Sequence, residues 1–155
     1  MKVAEMRKMN PIEFEHYVAD MLEQKGYDCY VTSGTADYGA DIIAEDDKEK
    51  IAVQVKRYAK NNSVGVEDIY PVHSAINFYE CDRAMIITTA TSLTNNARVL
   101  ARNLGIEVWD SEKLAQEFSD KQYRAKKEEQ IDFGFKQKAI IAFWILAALF
   151  TMRFY

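Results

Sequence analysis

Asp41, Gln54 and Lys56 are the residues whose types and spacing could do chemistry together. Gln54 and Lys56 are two positions apart, so on a strand they share a face. Asp41 lies one short hairpin away, across the charged tip Glu45 to Glu49. A carboxylate, an amide carbonyl and an ammonium group gathered in this way suit phosphodiester hydrolysis. Hard oxygen atoms hold a divalent cation such as magnesium, and the amine orients or activates a water. Gln54 and Lys56 sit among Ile51, Ala52, Val53 and Val55, where burying them calls for a polar partner, and Asp41 is the obvious one. On spacing alone, however, the solvated face of an amphipathic hairpin is the stronger reading, because alternating polar residues on a strand are ordinary.

The elements that must position these residues follow from local pattern. Asn10 and Pro11 start a helix, as N-cap and first helical residue, and Gly26 ends it. Phe14, Val18, Met21 and Leu22 form its inward stripe. Strands are expected at Tyr27 to Thr32, Ala40 to Ala44 and Lys50 to Arg57, the last with Ile51, Val53 and Val55 on one face and Ala52, Gln54 and Lys56 on the other. Ser33 to Gly39 reads as a loop or tight turn, and Asn61 to Gly65 as a polar loop. Val66 to Tyr79 reads as a helix, with Pro71 a kink or boundary. Arg83 to Thr89 reads as a buried strand, with Ala84, Met85, Ile86 and Ile87 running continuously apolar, as suits a sheet covered on both faces. A helix at Thr94 to Leu104, a strand at Ile106 to Trp109 and a helix capped by Asp110 or Ser111 complete an α/β sandwich with a mixed sheet.

The ordered motifs resemble the Mrr-like restriction endonuclease family, in the PD-(D/E)xK superfamily, over about Pro11 to Leu114. The resemblance runs through Phe14-Glu15, Gly26-Tyr27, the segment Gly34-Thr-Ala-Asp-Tyr-Gly-Ala-Asp41, Val53-Gln-Val-Lys-Arg-Tyr58, Ile86-Ile-Thr-Thr89 and Thr94-Asn-Asn-Ala97. It implies a restriction-endonuclease-like sandwich, a central mixed β-sheet flanked by helices. It also implies a metal-dependent DNA endonuclease using Mg2+, with Mn2+ able to substitute. Asp41, Gln54 and Glu15 would hold the metal, and Lys56 would orient or activate water. Asp37 would be a carboxylate behind the metal ligands, or an Asx-turn residue shaping the loop. Two departures stand out: Ala40 occupies the place of a proline, and Gln54 is neutral where many relatives carry Asp or Glu, which weakens cation binding unless Glu15 compensates.

Beyond that set, Arg57 and Lys60 follow the third strand and suit phosphate contacts or a solvated strand end. Thr89 stands at a strand end that leads into a helix N-terminus, where phosphate can be held, whereas Thr94 reads as a helix cap. His16, His73, Cys29 and Cys81 lack metal-binding spacing.

The chain has 155 residues, 48% hydrophobic and 28% charged, which suits one globular domain with an appendage. Residues 1–118 form the expected nuclease domain, 119–138 a charged linker or helix, and 139–155 a hydrophobic C-terminal segment. The first part holds 13 basic and 20 acidic side chains, a charge of −7, while 119–155 carries +3. An acidic domain is a poor fit to tight non-specific DNA binding unless charge is locally arranged. Ala139 to Met152 is apolar on all sides and suits a membrane anchor, a docking helix or a terminal core helix. Lys136 and Lys138 on its domain side fit a cytoplasmic domain held at the inner membrane. The rival function is a catalytically weak DNA-binding or regulatory module of the same fold. A nuclease acting on junctions or RNA is a third, and a homodimer is expected from the resemblance.

Overall fold

The computed structural model describes residues 2–32 and 38–117. Asp37, the linker and the hydrophobic C-terminal helix expected from sequence lie outside the described residues.

A short helix, α1 (Val3–Met6), precedes α2 (Pro11–Glu23). Asn10 caps α2 as its sequence promised: its side chain accepts from Glu13 N at 2.8 Å, and Glu13 reaches back to Asn10 N at 3.0 Å. Past the last full turn, Gly26 N–H bonds Glu23 O and Tyr27 N–H bonds Leu22 O. That paired ending needs a left-handed residue, and Gly26 supplies it at φ 103°. Then come β1 (Asp28–Val31), β2 (Ile42–Glu45) and β3 (Lys50–Lys56), joined as antiparallel neighbours.

A two-residue strand, β4 (Ser63–Val64), and α3 (Val66–Phe78) lead to β5 (Arg83–Thr88), which lies parallel to β3. Next follow β6 (Ser92–Leu93), α4 (Asn95–Asn103), β7 (Glu107–Trp109) and α5 (Ser111–Glu117). The main sheet has the order β1-β2-β3-β5-β7, and β4 pairs with β6 as a separate parallel ladder. The hairpin followed by parallel crossovers is the mixed sheet expected from the pattern of elements.

Both sheet faces are covered, which is why β5 runs apolar from Ala84 to Ile87. Phe14, Val18, Met21 and Leu22 of α2 pack on Ile51, Val53, Val55, Met85 and Ile87, with Leu114 of α5. Ile69, Val72 and Ala75 of α3 and Ala97 and Ala101 of α4 pack on Ile43, Ala52, Ala84 and Ile86. Alternation along β3 therefore places Ile51, Val53 and Val55 under α2, and Ala52 and Gln54 on the α3 side.

Pro71 neither ends nor bounds α3, which continues through it. Glu67 and Pro71 are both exposed, so the carbonyl left without its helical donor lies on a solvent-facing side. The expected polar loop at 61–65 contains β4, too short to leave a periodic signal.

Candidate active site

Asp41 sits where β2 departs from β3. Its N–H bonds Val53 O at 2.8 Å, and its carbonyl accepts Thr32 N–H at 2.9 Å. The neighbouring Val55 N–H is taken by the Asp41 side chain, with Oδ2 accepting at 2.6 Å. The same Oδ2 accepts a short hydrogen bond from Gln54 Nε2. The carboxylate thus replaces a main-chain acceptor in the ladder, and two donors fix its position. Asp41 is 9% exposed and Gln54 3%.

The Gln54 bond commits the amide nitrogen to Asp41 and leaves the carbonyl oxygen Oε1 as the atom able to ligate a cation. The donor chemistry of the pair, one carboxylate and one amide carbonyl, fits a hard divalent ion, while Glu15 is a half-buried carboxylate on α2, the helix that covers the Ile51, Val53 and Val55 face of the sheet. It is a sparse set, because among the described residues no three Asp, Glu, His or Cys side chains gather as a cation-binding group.

Lys56 ends β3, one alternation beyond Gln54. Among the described residues its ammonium has no carboxylate partner, so its charge is not spent on an ion pair. Its carbonyl is held twice, by Thr88 Oγ1 at 2.7 Å and Thr89 N–H at 3.1 Å. Sequence reasoning missed what lies behind this. The chain leaving β3 and the chain leaving β5 stay zipped together by hydroxyls. Thr89 Oγ1 accepts from Tyr58 N at 2.7 Å and donates to Tyr58 O at 2.8 Å. Thr91 Oγ1 donates to Lys60 O at 3.1 Å, and the Ser63 and Ser92 hydroxyls meet at 2.8 Å beside β4 and β6. The run Thr88, Thr89, Thr91 and Ser92 is the signal that could have revealed it.

This zipper settles where three expected contact residues lie. Arg57 and Lys60 are exposed on the clamped segment. Thr89 is wholly buried and its hydroxyl is committed to Tyr58, so it clamps strands and offers no surface to a phosphate. Thr94 caps α4, accepting from Ala97 N at 3.2 Å. Asp110 Oδ1, accepting from Glu112 and Lys113 N–H at 3.0 Å, caps α5.

Tyr58 also anchors the segment on its other side. Its hydroxyl donates to Asp68 Oδ1 at 2.8 Å, and Asp68 Oδ2 accepts from Gly65 N at 2.9 Å. Burial, with help from the Asp68 bond, pushes the phenol up to about 12. Gly39 fixes the chain entering Asp41. It adopts φ 91°, and its Cα side abuts the Pro71 carbonyl so closely that an added Cβ would lie 2.1 Å from that oxygen. The cysteines are not nucleophiles of this site: Cys29 packs against the α2-side core and burial raises its thiol to about 12. A broad groove along Met9, Asn10, Ile12, His16 and Asp20 contains none of the site residues.

A family described as restriction endonuclease, the Mrr catalytic type, matches residues 6–118. The chain belongs to the Mrr-type restriction endonuclease family. The match takes in the sheet and both helical layers of this Mrr-type domain. Among solved structures it is similar to the DNA modification-dependent restriction endonuclease AspBHI, at TM-score 0.62 and 19% identity, covering 74% of this chain and 33% of that one. It is also similar to AF1548, a protein of unknown function, at TM-score 0.54 and 18% identity, covering 62% of this chain and 55% of that one. The Mrr-type chain therefore spans about half of one and a third of the other, and the likeness carries the fold. No curated protein matches it in sequence.

Proposed function

We propose that this domain is a metal-dependent DNA endonuclease acting in restriction of foreign DNA. The observation that carries the reading is the buried Asp41–Gln54 pair, pinned by Val55 N–H, beside a Lys56 with no ion-pair partner among the described residues. Asp41 and Gln54, assisted by Glu15, would hold Mg2+, or Mn2+ in its place. When bound, the ion supplies positive charge against the crowded oxygens of the reacting phosphate. Lys56 orients the attacking water and holds it within reach of the phosphorus. Arg57 and Lys60 contact backbone phosphates on either side, a local cationic edge on an acidic domain. A pair of chains would bring one site to each strand, and residues 139–155 would tether the cytoplasmic domain to the inner membrane.

The test is cleavage of a panel of modified and unmodified duplexes with Mg2+ or Mn2+. Modified DNA belongs in the panel because of the AspBHI likeness. Lys56→Ala and Asp41→Asn should each lower turnover by about a hundredfold or more. Activity of Lys56→Ala equal to wild type would sink the assignment.

A second reading, a DNA-binding or regulatory module with weak catalysis, is favoured by one observation: the described residues offer no group of three potential metal-ligating acidic, His or Cys side chains. Calorimetry with Mg2+ and Mn2+ separates the two. Cation binding that disappears in Asp41→Asn supports the nuclease, and no Asp41-dependent binding supports the module.

A further inference from the structure

We infer that Arg7 is a positioning residue for Lys56, and that α1 serves as a strap locking the end of β3. The consequence for turnover rests on the nuclease reading above, whereas the strap itself does not. Arg7 lies just after α1 and 82 residues away from Thr89. Its guanidinium forks onto the Thr89 carbonyl, with Nε at 3.1 Å and Nη2 at 2.7 Å. Its own carbonyl accepts from Arg57 Nη1 at 2.9 Å. Thr89 Oγ1 in turn holds both the N–H and the carbonyl of Tyr58, which follows Arg57 in the chain. The bonds close into a circuit, Arg57 to Arg7 to Thr89 to Tyr58 and back along the main chain to Arg57. The residue at its edge is Lys56, whose carbonyl is held by Thr88 and Thr89.

Two features make the circuit more than surface decoration. Arg7 has no carboxylate partner among the described residues, so a full positive charge is directed at a neutral carbonyl. Charge-assisted forks of this kind are short, directional and stronger than neutral bonds, and a lysine does not reproduce them. Secondly, β3 has no antiparallel partner beyond this point. Its pairing with β5 ends at Lys56 and Thr88, so beyond the Thr89 N–H bond to the Lys56 carbonyl the main chain at Tyr58 is held by the Thr89 side chain rather than by the ladder. An ammonium that must meet a water within fractions of an ångström depends on that main chain. Arg7 acts through Thr89 and Tyr58 and touches no substrate.

The experiment compares wild type, Arg7→Met and Arg7→Lys by amide hydrogen exchange and by DNA cleavage kinetics. Exchange is read at Tyr58 and Thr89, whose N–H groups bond within the zipper, with Met85 and Ile86 of β5 as folded controls. Both variants should lose about tenfold in protection at Tyr58 and Thr89 while the controls hold. On DNA, kcat should fall about tenfold with KM nearly unchanged. Unchanged exchange at Tyr58 and Thr89 in both variants overturns the strap. Loss of protection with kcat intact overturns the positioning role. A raised KM with intact kcat in Arg7→Met, restored by Arg7→Lys, overturns it in favour of a plain phosphate contact. Should Arg7→Met open the control amides as well, Arg7→Lys decides by the same criteria. If wild type cuts no DNA, the nuclease reading fails, and the exchange result still decides whether Arg7 fixes the main chain at Lys56.

Discussion

Replacing Gly39 with alanine should cost far more than a surface glycine substitution, and the structure separates the two causes. The first is conformational: at φ 91° an L side chain is strained by about 1–2 kcal/mol. The second is contact. The new Cβ would stand 2.1 Å from Pro71 O and 2.4 Å from Pro71 C, both main-chain atoms of α3. Real Cβ atoms stay beyond about 3.0 Å, so the loop and the helix must separate by about 0.9 Å. The helix resists, since Ile69, Val72 and Ala75 are wholly buried beneath it, and over-packing of this kind costs about 1–3 kcal/mol. The expected loss is about 2–5 kcal/mol. Gly105 is the control: φ is 68° and nothing lies within 4 Å of its added Cβ, so Gly105→Ala carries only the conformational cost. Urea unfolding of the three proteins measures both. Because Gly39 lies two residues before Asp41, Gly39→Ala should also weaken Mg2+ binding at temperatures where it remains folded. Equal destabilisation of Gly39→Ala and Gly105→Ala would refute the contact, and with it the account of how α3 sets the approach to Asp41.

Other substitutions probe other parts of the site. Gln54→Glu places a second carboxylate against Asp41 Oδ2, so without cation it should lose about 1–3 kcal/mol of stability while Mg2+ stabilises it more than wild type; melting with and without Mg2+ checks this. Burial first, and the Asp68 bond second, push the Tyr58 phenol up to about 12, so the stability they give is fully present below pH 10 and lost as pH rises from about 10 to about 12. The near-ultraviolet difference between wild type and Tyr58→Phe should titrate in that upper range, and titration near the ordinary phenol value would contradict it. Arg83 grips Glu49 with two bonds, at 2.7 and 2.8 Å, and this holds the Glu49 carboxyl below its ordinary value. The contribution is therefore present above about pH 4.5 and lost as pH falls through the lowered value. Arg83→Met should destabilise by about 1–2 kcal/mol at neutral pH, with the gap closing in acid; a gap constant with pH would show that packing, not charge, is lost.

What could be read from the residues was what local chemistry dictates. Asn10, Pro11 and Gly26 marked the ends of α2, and the alternation of β3 put Gln54 and Lys56 on one side. The hairpin then brought Gln54 against Asp41. The four residues of α1 and the two each of β4 and β6 are too short for any period to show. Pro71 is no boundary of α3, because its cost depends on which side of the helix faces water. The largest omission was the pairing of Arg7 and Thr89, which nothing local announces: a side chain bonding a carbonyl 82 positions away leaves no spacing to detect. The hydroxyl zipper was visible as a threonine-rich run, but the same run also suits a cap or a phosphate site, and only the fold distinguishes these.

Asp41 is wired into the sheet through Val55 N–H, and this has an evolutionary side. Removing its side chain strands a buried main-chain donor, so selection for a stable fold alone would preserve an acceptor there. The Lys56 ammonium has no such duty among the described residues, where it forms no ion pair. A descendant that gave up cutting DNA could keep the aspartate indefinitely as a piece of architecture while the lysine drifted. In a survey of related sequences, therefore, an intact Asp41 marks an intact sheet, and under the proposed function it is the residue at position 56 that would follow the activity.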